Sequence, residues 1–236
     1  MGDLYQQKVE SLHDLKILSD STYENQKNHS STFSSIDRVD VVFRGHKERL
    51  LGLISKFDWV AGCIAWLTDI DILNALAACK CVSLVVQKED FLRPDTEKLP
   101  KWKERLRNAY EAVEASNRFL WPGLKGGLSV CYGDGNEAIR CVGNYNRDRA
   151  SAFPRMHNKF LIFGNNEKFE GPRFTTTWTG SFNITYNATR SFENAVVVYN
   201  AEVAKAFYDE YAQIYAFSER LDWEHDWVAP EFRIGT

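Results

Sequence analysis

Long apolar runs are missing from this sequence of 236 residues. None approaches the ~20 consecutive apolar residues that a bilayer-spanning helix requires, so no membrane partner is expected. An excess of one charge is missing too. The 29 basic and 32 acidic side chains leave a formal charge of -3, which gives neither a global attraction to nucleic acid nor a polybasic tail. Any anion-binding surface must therefore be local. Cysteine is scarce: Cys63, Cys79, Cys81, Cys131 and Cys141 form an odd set without a CxxC pair. That argues against a disulfide framework or a zinc site and for small buried hydrophobes in a reducing compartment. The opening "MGDLYQQKVESLHDLK" has no basic leader or apolar signal core, and Gln6 stands where a myristoylation signal has Ser or Thr. A cytoplasmic location is expected. No internal repeat and no cofactor or metal motif is evident; Asp69 and Asp71, at a helix start, read as capping and dipole residues.

What the sequence does have is a core. Its hydrophobic content of 44% is enough to fill one large domain. Residues 4–18 place Tyr5, Val9, Leu12 and Leu15 at helical spacing, and a polar, serine-rich stretch follows. Residues 1–38 thus read as an N-terminal helix and linker. From residue 39 strand-like and helix-like segments alternate. "VDVVF" (39–43), "WVAGCIAWL" (59–67) and "CVSLVVQ" (81–87) read as strands, "HKERLLGLISKF" (46–57) and "DIDILNALAAC" (69–79) as helices, the latter capped by Thr68. A helix over 101–117, strands at 128–133, 174–180 and 193–199, and a helical pattern over 201–221 complete the series. One sheet covered by helices is the economical architecture for residues 39–221, with the tail 222–236 packing back through Trp223 and Trp227.

The chemistry centres on "RMHNKFLIFGN" (155–165). In a strand a spacing of two returns His157 and Lys159 to one face. Alone, a His-x-Lys pair carries little. Its meaning comes from "WTGSFNIT", in which a strand runs into Ser181 and Asn183 at an expected strand-to-helix turn, and from "SFENAVVVY", which sets Glu193 at the head of another strand. A helix N-terminus at that turn would suit a phosphate. Together these residues supply a nucleophile (His157), a fixed cation (Lys159), an amide donor (Asn183), a hydroxyl (Ser181) and a carboxylate that could hold the imidazole and its tautomer (Glu193). These are the parts for metal-free attack on a phosphodiester through a phosphohistidine.

"HNKFLIFGN", "TGSFNIT" and "SFENAVVVY" resemble the signature of the phospholipase D superfamily, H-x-K-x4-D, then G-S-x-N, then a carboxylate before an apolar strand. The pattern is similar to that of small bacterial nucleases with one motif per chain, over roughly residues 39–218. The resemblance implies a mixed, mostly parallel sheet with helices on both faces. One departure is plain: the motif aspartate falls on Gly164. Residues 165–173 and the helix near 101–117 look like insertions beside the smallest members.

A phosphohistidine route needs a second histidine, as acid for the leaving oxygen and then as base for water. The chain has one motif, so the resemblance implies a homodimer whose two His157 rings share one site. The other histidines, His13, His29, His46 and His225, are followed by no lysine two places on, and His46 reads as a solvated helix-start residue. For a nucleic acid substrate, DNA or RNA, speak two basic runs, "KWKERLR" and "RDRASAFPR"; the latter brings Arg147, Arg149 and Arg155 up to the motif, where they could hold backbone phosphates. Other family activities on phospholipids, as phosphodiesterase or phosphatidyltransferase, and a catalytically silent nucleic-acid-binding role are the alternatives.

Overall fold

In the computed structural model, which describes residues 16–19, 22–25, 31–34, 38–89, 101–114, 121–122, 128–129, 137–143, 155–167, 171–216 and 218–221, strand residues alternate between two apolar layers. The elements in chain order are β1 (Lys16–Ser19), β2 (Thr22–Asn25), β3 (Ser31–Ser34), β4 (Arg38–Val42), α1 (His46–Ile54), β5 (Trp59–Ile64), α2 (Ile70–Ala77) and β6 (Cys81–Gln87). There follow α3 (Lys101–Glu114), β7 (Trp121–Pro122), β8 (Leu128–Ser129), β9 (Ile139–Val142), β10 (Lys159–Glu167), β11 (Gly171–Gly180), β12 (Ala195–Tyr199), α4 (Ala201–Ala216) and β13 (Glu219–Arg220).

Nine of the strands form one sheet in the order β13-β9-β6-β5-β10-β11-β12-β4-β3, and β1–β2 and β7–β8 pair separately. On β5, Val60 and Ile64 face one layer while Trp59, Ala61 and Cys63 face the other; on β10, Leu161 and Phe163 oppose Phe160 and Ile162. The first layer is closed by α1, α2 and α3 through Leu50, Leu53, Ile72, Leu76, Leu106 and Tyr110. The second is closed by α4 through Ala204, Tyr208, Tyr211 and Tyr215. Strands covered on both faces are apolar along their whole length, which is why β5 and β6 carry almost no polar residue. Of the two polar residues of β6, Ser83 is bonded across to the Tyr211 hydroxyl at 2.5 Å, and Gln87 ends the strand. The four cysteines in the described residues, Cys63, Cys79, Cys81 and Cys141, are free thiols buried in these layers. Among the described residues no helix is long and apolar enough to cross a membrane.

A mixed sheet flanked by helices on both faces is therefore the fold. Its pairing departs from expectation: only β5–β6 and β6–β9 are parallel, and the other neighbours run antiparallel. A parallel crossover needs a dozen or more residues, usually with a helix, and α2 supplies one between β5 and β6. From residue 159 onward β10, β11 and β12 follow one another as antiparallel neighbours with no helix longer than a 3₁₀ turn between them. Of residues 165–173, expected to be an insertion, 165–167 and 171–173 form the far arms of the β10–β11 hairpin, with Asn165 opposite Arg173, and 168–170 lie outside the described residues.

Several boundaries also move. Asp69, not Thr68, caps α2, its Oδ1 accepting the N–H groups of Asp71 and Ile72 at 3.1 Å each. Lys16–Ser19 is a strand against β2 instead of the end of a helix, and Ser31–Ser34 adds the edge strand β3 where a linker was expected. The pattern over 201–221 breaks after Ala216: Arg140 binds the Ser218 hydroxyl and carbonyl at 2.8 and 2.9 Å, turning the chain into β13. The remainder of 4–18, most of 128–133, residues 115–117 and the tail 222–236 lie outside the described residues.

Candidate active site

The carboxyl ends of β5, β6, β9 and β11 and the amino ends of β10 and β12 meet at one end of the sheet. Register makes this so: Lys159 lies opposite Ile64, Phe160 opposite Thr179, and Gly180 opposite Ala195. Such strand ends, just beyond the last ladder bonds, are where α/β sheets gather reactive side chains.

Lys159 opens β10 and is 9% exposed, while His157, two residues earlier, is exposed. The lysine Nζ donates to the His157 carbonyl at 2.9 Å and lies 3.2 Å from the ring Nδ1 and 3.3 Å from Nε2. Burial and then the Lys159 charge, with Arg155 adding to them, push the His157 pKa below its usual 6.5; Glu89 pulls against them. The shift favours the unprotonated ring, which is the nucleophilic form. Burial also lowers Lys159 from its usual 10.5, and Glu193 opposes this by favouring the ammonium.

After Gly180 the chain continues extended, so alternate residues again part company. Phe182 and Ile184 turn into the core, and Ser181 and Asn183 stand on the site side. The expected helix N-terminus is not there. In its place Ile184 clamps the loop to the end of β5, its N–H on the Trp66 carbonyl at 3.0 Å and its carbonyl accepting Thr68 and Asp69 at 2.8 and 3.1 Å. The first helical turn is the short 3₁₀ segment Ala188–Arg190. Ser181 Oγ donates to Glu193 Oε2 and accepts the Asn194 N–H at 3.0 Å. The Asn183 Oδ1, an acceptor, is buried with no hydrogen-bond partner.

Glu193 does not hold the imidazole. Among the described residues the ring's hydrogen-bond contacts are with Lys159. The sheet order explains this, because β11 lies between β10 and β12 and puts Glu193 across from Ser181, one strand away from His157. The carboxylate instead fixes the Ser181 hydroxyl and sets the field around Lys159.

His157, Lys159, Ser181, Asn183 and Glu193 all fall within residues 136–215, which match the family model described as cardiolipin synthase, PLD-like domain. Over those residues, about a third of the chain, the protein is similar to the phospholipase D superfamily. It is also similar to protein L381 of Acanthamoeba polyphaga mimivirus, 29% identical over 77% of this chain and 66% of that one, so it spans just under two thirds of that relative's length. Among solved structures it resembles the phospholipase D family member Nuc from Salmonella typhimurium, with a TM-score of 0.48 and 20% identity over 77% of this chain and 95% of that one. NucT from Helicobacter pylori gives 0.45 and 12% over 76% and 96%. Phosphatidylserine synthase from Haemophilus influenzae gives 0.43 and 11% over 83% and 42%. Superfamily members act on phosphodiester bonds.

This phospholipase D-like chain has a structural reason for lacking the motif aspartate. At Gly164 the β10–β11 register shifts, and a Cβ there would stand 2.3 Å from the Arg173 carbonyl oxygen and 2.9 Å from the Phe174 Cα. The two backbones approach too closely for any side chain. The next residue, Asn165, takes up a structural bond of its own, accepting the Asp58 N–H at 3.0 Å.

Three further residues of the site come from the end of β6. Gln87, fully buried, accepts the Met156 N–H at 2.8 Å through Oε1 and donates through Nε2 to the Lys88 carbonyl at 2.9 Å. Gly143 (φ 90°) packs so tightly over this amide that a Cβ would lie 2.3 Å from Oε1. Gln87 thereby sets the residue just before His157. Lys88 pairs with Glu219 in the interior, and Glu89 lies 3.7 Å from Arg155. The sequence signal was three consecutive polar residues, Gln87, Lys88 and Glu89, closing a mostly apolar strand. Arg155 is placed beside the site, whereas Arg147 and Arg149 lie outside the described residues. His46 is not solvated: it is 3% exposed and stacked on Phe182, with ring centroids 4.8 Å apart. It supports the loop that carries Ser181 and Asn183 from within the core.

Proposed function

We propose that the protein is a phosphodiesterase that hydrolyses DNA or RNA through a phosphohistidine on His157, without a metal, at a site completed by a second copy of the chain. The observation that carries this reading is an imidazole with a buried ammonium fixed against it, on the same site face as Asn183. In the first step a ring nitrogen of His157 attacks phosphorus and the bond to the leaving oxygen breaks. His157 of the partner subunit, protonated at this stage, gives that oxygen its proton. In the second step the same partner ring takes a proton from water, the oxygen attacks phosphorus, and the phosphorus–nitrogen bond breaks to free His157. Lys159 and Asn183 meet the charge that grows on the non-bridging oxygens. Glu193 keeps Lys159 charged and Ser181 in place. Arg155, next to the motif, holds the adjoining phosphate of a strand.

Purified protein incubated with plasmid, single-stranded DNA, RNA and phosphatidylcholine vesicles, all in chelator, tests the proposal. Cleavage of a nucleic acid that persists in chelator and is lost in His157→Ala is the expected result. Turnover of lipid alone would replace the nuclease reading with the phospholipid one, and loss of all activity on chelation would overturn the histidine mechanism.

A further inference from the structure

Large apolar side chains are exposed at four positions among the described residues: Trp66, Trp102, Tyr186 and Phe192. Trp102 lies on α3. The other three belong to the segments that build the active site. Trp66 follows Ala65, whose N–H binds the carbonyl of Asn158, between His157 and Lys159, at 2.9 Å. Its own carbonyl holds Ile184, next to Asn183. Tyr186 is three residues beyond Asn183, and Phe192 immediately precedes Glu193. Leaving three aromatic rings in water around a polar site costs hydrophobic stabilisation that burial would otherwise return.

The loop that carries Tyr186 is tied by its own side chains. Thr189 Oγ1 donates to the Tyr186 carbonyl at 2.7 Å, and Thr185 Oγ1 accepts the Ala188 N–H at 3.2 Å. Two of the rings also carry a cation. The Arg190 guanidinium lies 4.5 Å from the Tyr186 ring centroid, and that of Arg44 lies 5.3 Å from Phe192. With Tyr186 58% and Phe192 52% exposed, each ring retains open surface beyond its guanidinium.

We infer that Trp66, Tyr186 and Phe192 form a stacking rim for unpaired nucleobases, so that the site takes single-stranded nucleic acid in preference to duplex. The inference rests on the nuclease reading. Aromatic faces accept any base once it is unstacked, and a guanidinium behind the ring strengthens the contact while attracting the adjoining phosphate. A duplex keeps its base faces inside its own stack and offers none to such a rim. The arginines decide between a strand and a second copy of the chain as occupant: cations stacked on rings beside a phosphodiester site complement a polyanion.

The test compares cleavage of a single-stranded oligonucleotide, its duplex, and a strand of equal length built from abasic sites, which keeps the phosphates and removes the bases. The wild-type protein is expected to cut the base-bearing strand at least tenfold faster than either of the others at limiting substrate. Tyr186→Leu, Phe192→Leu and Trp66→Leu, which keep apolar bulk and remove the π face, are each expected to lower the ratio of base-bearing to abasic cleavage by about tenfold. Equal wild-type rates on base-bearing and abasic strands would overturn the rim and leave the nuclease intact. So would variants whose ratio is unchanged, or whose principal effect is a change of molecular mass in light scattering. Failure to cut any of the three strands would overturn the nuclease reading itself.

Discussion

The Lys159 ammonium lies almost equidistant from the two ring nitrogens of His157, at 3.3 and 3.2 Å, while it donates to the carbonyl of the same residue. The ammonium and the imidazole are thus one unit, closed by a two-residue spacing at the start of a strand. This relationship has a direct electrostatic consequence. A proton added to the ring would stand beside a positive charge.

The His157 ring is accordingly expected to titrate below 6.5 in the folded protein, followed by its Cε1–H resonance. Lys159→Met should move the midpoint upward, because it removes a charge that disfavours the imidazolium. Glu89→Gln should move it further down, because Glu89 favours that form. Shifts of the same sign in both variants would contradict the charge arrangement.

Asn183→Ala should lower kcat by about 10²–10³ with little change in KM, since its amide is needed as charge develops on phosphorus oxygens. A variant that changed KM alone would assign Asn183 to ground-state binding.

Restoring the family's aspartate at position 164 should harm the protein. With the Arg173 carbonyl 2.3 Å from the Cβ position, Gly164→Asp must push the β10–β11 backbones apart. The expected cost is ~1–3 kcal/mol in chemical denaturation, with no gain in turnover. Wild-type stability together with raised activity would show that the hairpin yields.

Gln87→Leu removes the acceptor of a buried N–H and should destabilise by about 1–3 kcal/mol. Gln87 acts through the segment before His157, so kcat should fall more than KM, and the His157 titration midpoint should change with it. Gln87→Glu, which keeps the acceptor for Met156, is expected to recover part of the loss. Lost stability with unchanged kinetics would make Gln87 structural only.

Mixing wild-type and His157→Ala subunits after exchange tests the shared site. If each reaction uses both rings, total activity falls as the square of the wild-type fraction. A linear fall would mean that each chain works alone.

The legible parts of this protein were local. Mostly apolar runs identified β5 and β6 as central strands, and strand period put His157 beside Lys159; Ser181 and Asn183 were legible as a pair near a strand end, not as neighbours on one extended segment. Gln87 was passed over because a polar residue at a strand end looks the same whether it meets water or a backbone N–H from a segment 69 residues away. His46 was misread for a like reason: its helix-start position spoke for solvent, while Phe182 and Trp178 arrive from another strand end.

The sequence by itself determined the reactive set and its spacing, because one strand geometry makes i and i+2 neighbours regardless of what lies around them. Only the tertiary structure decided which way the strands pair, that Glu193 serves Ser181 and Lys159 instead of the imidazole, and that position 164 admits no side chain. Those depend on which strand lies next to which. Strand order is set by packing the whole chain around two apolar layers, a long-range property that no short stretch of residues encodes.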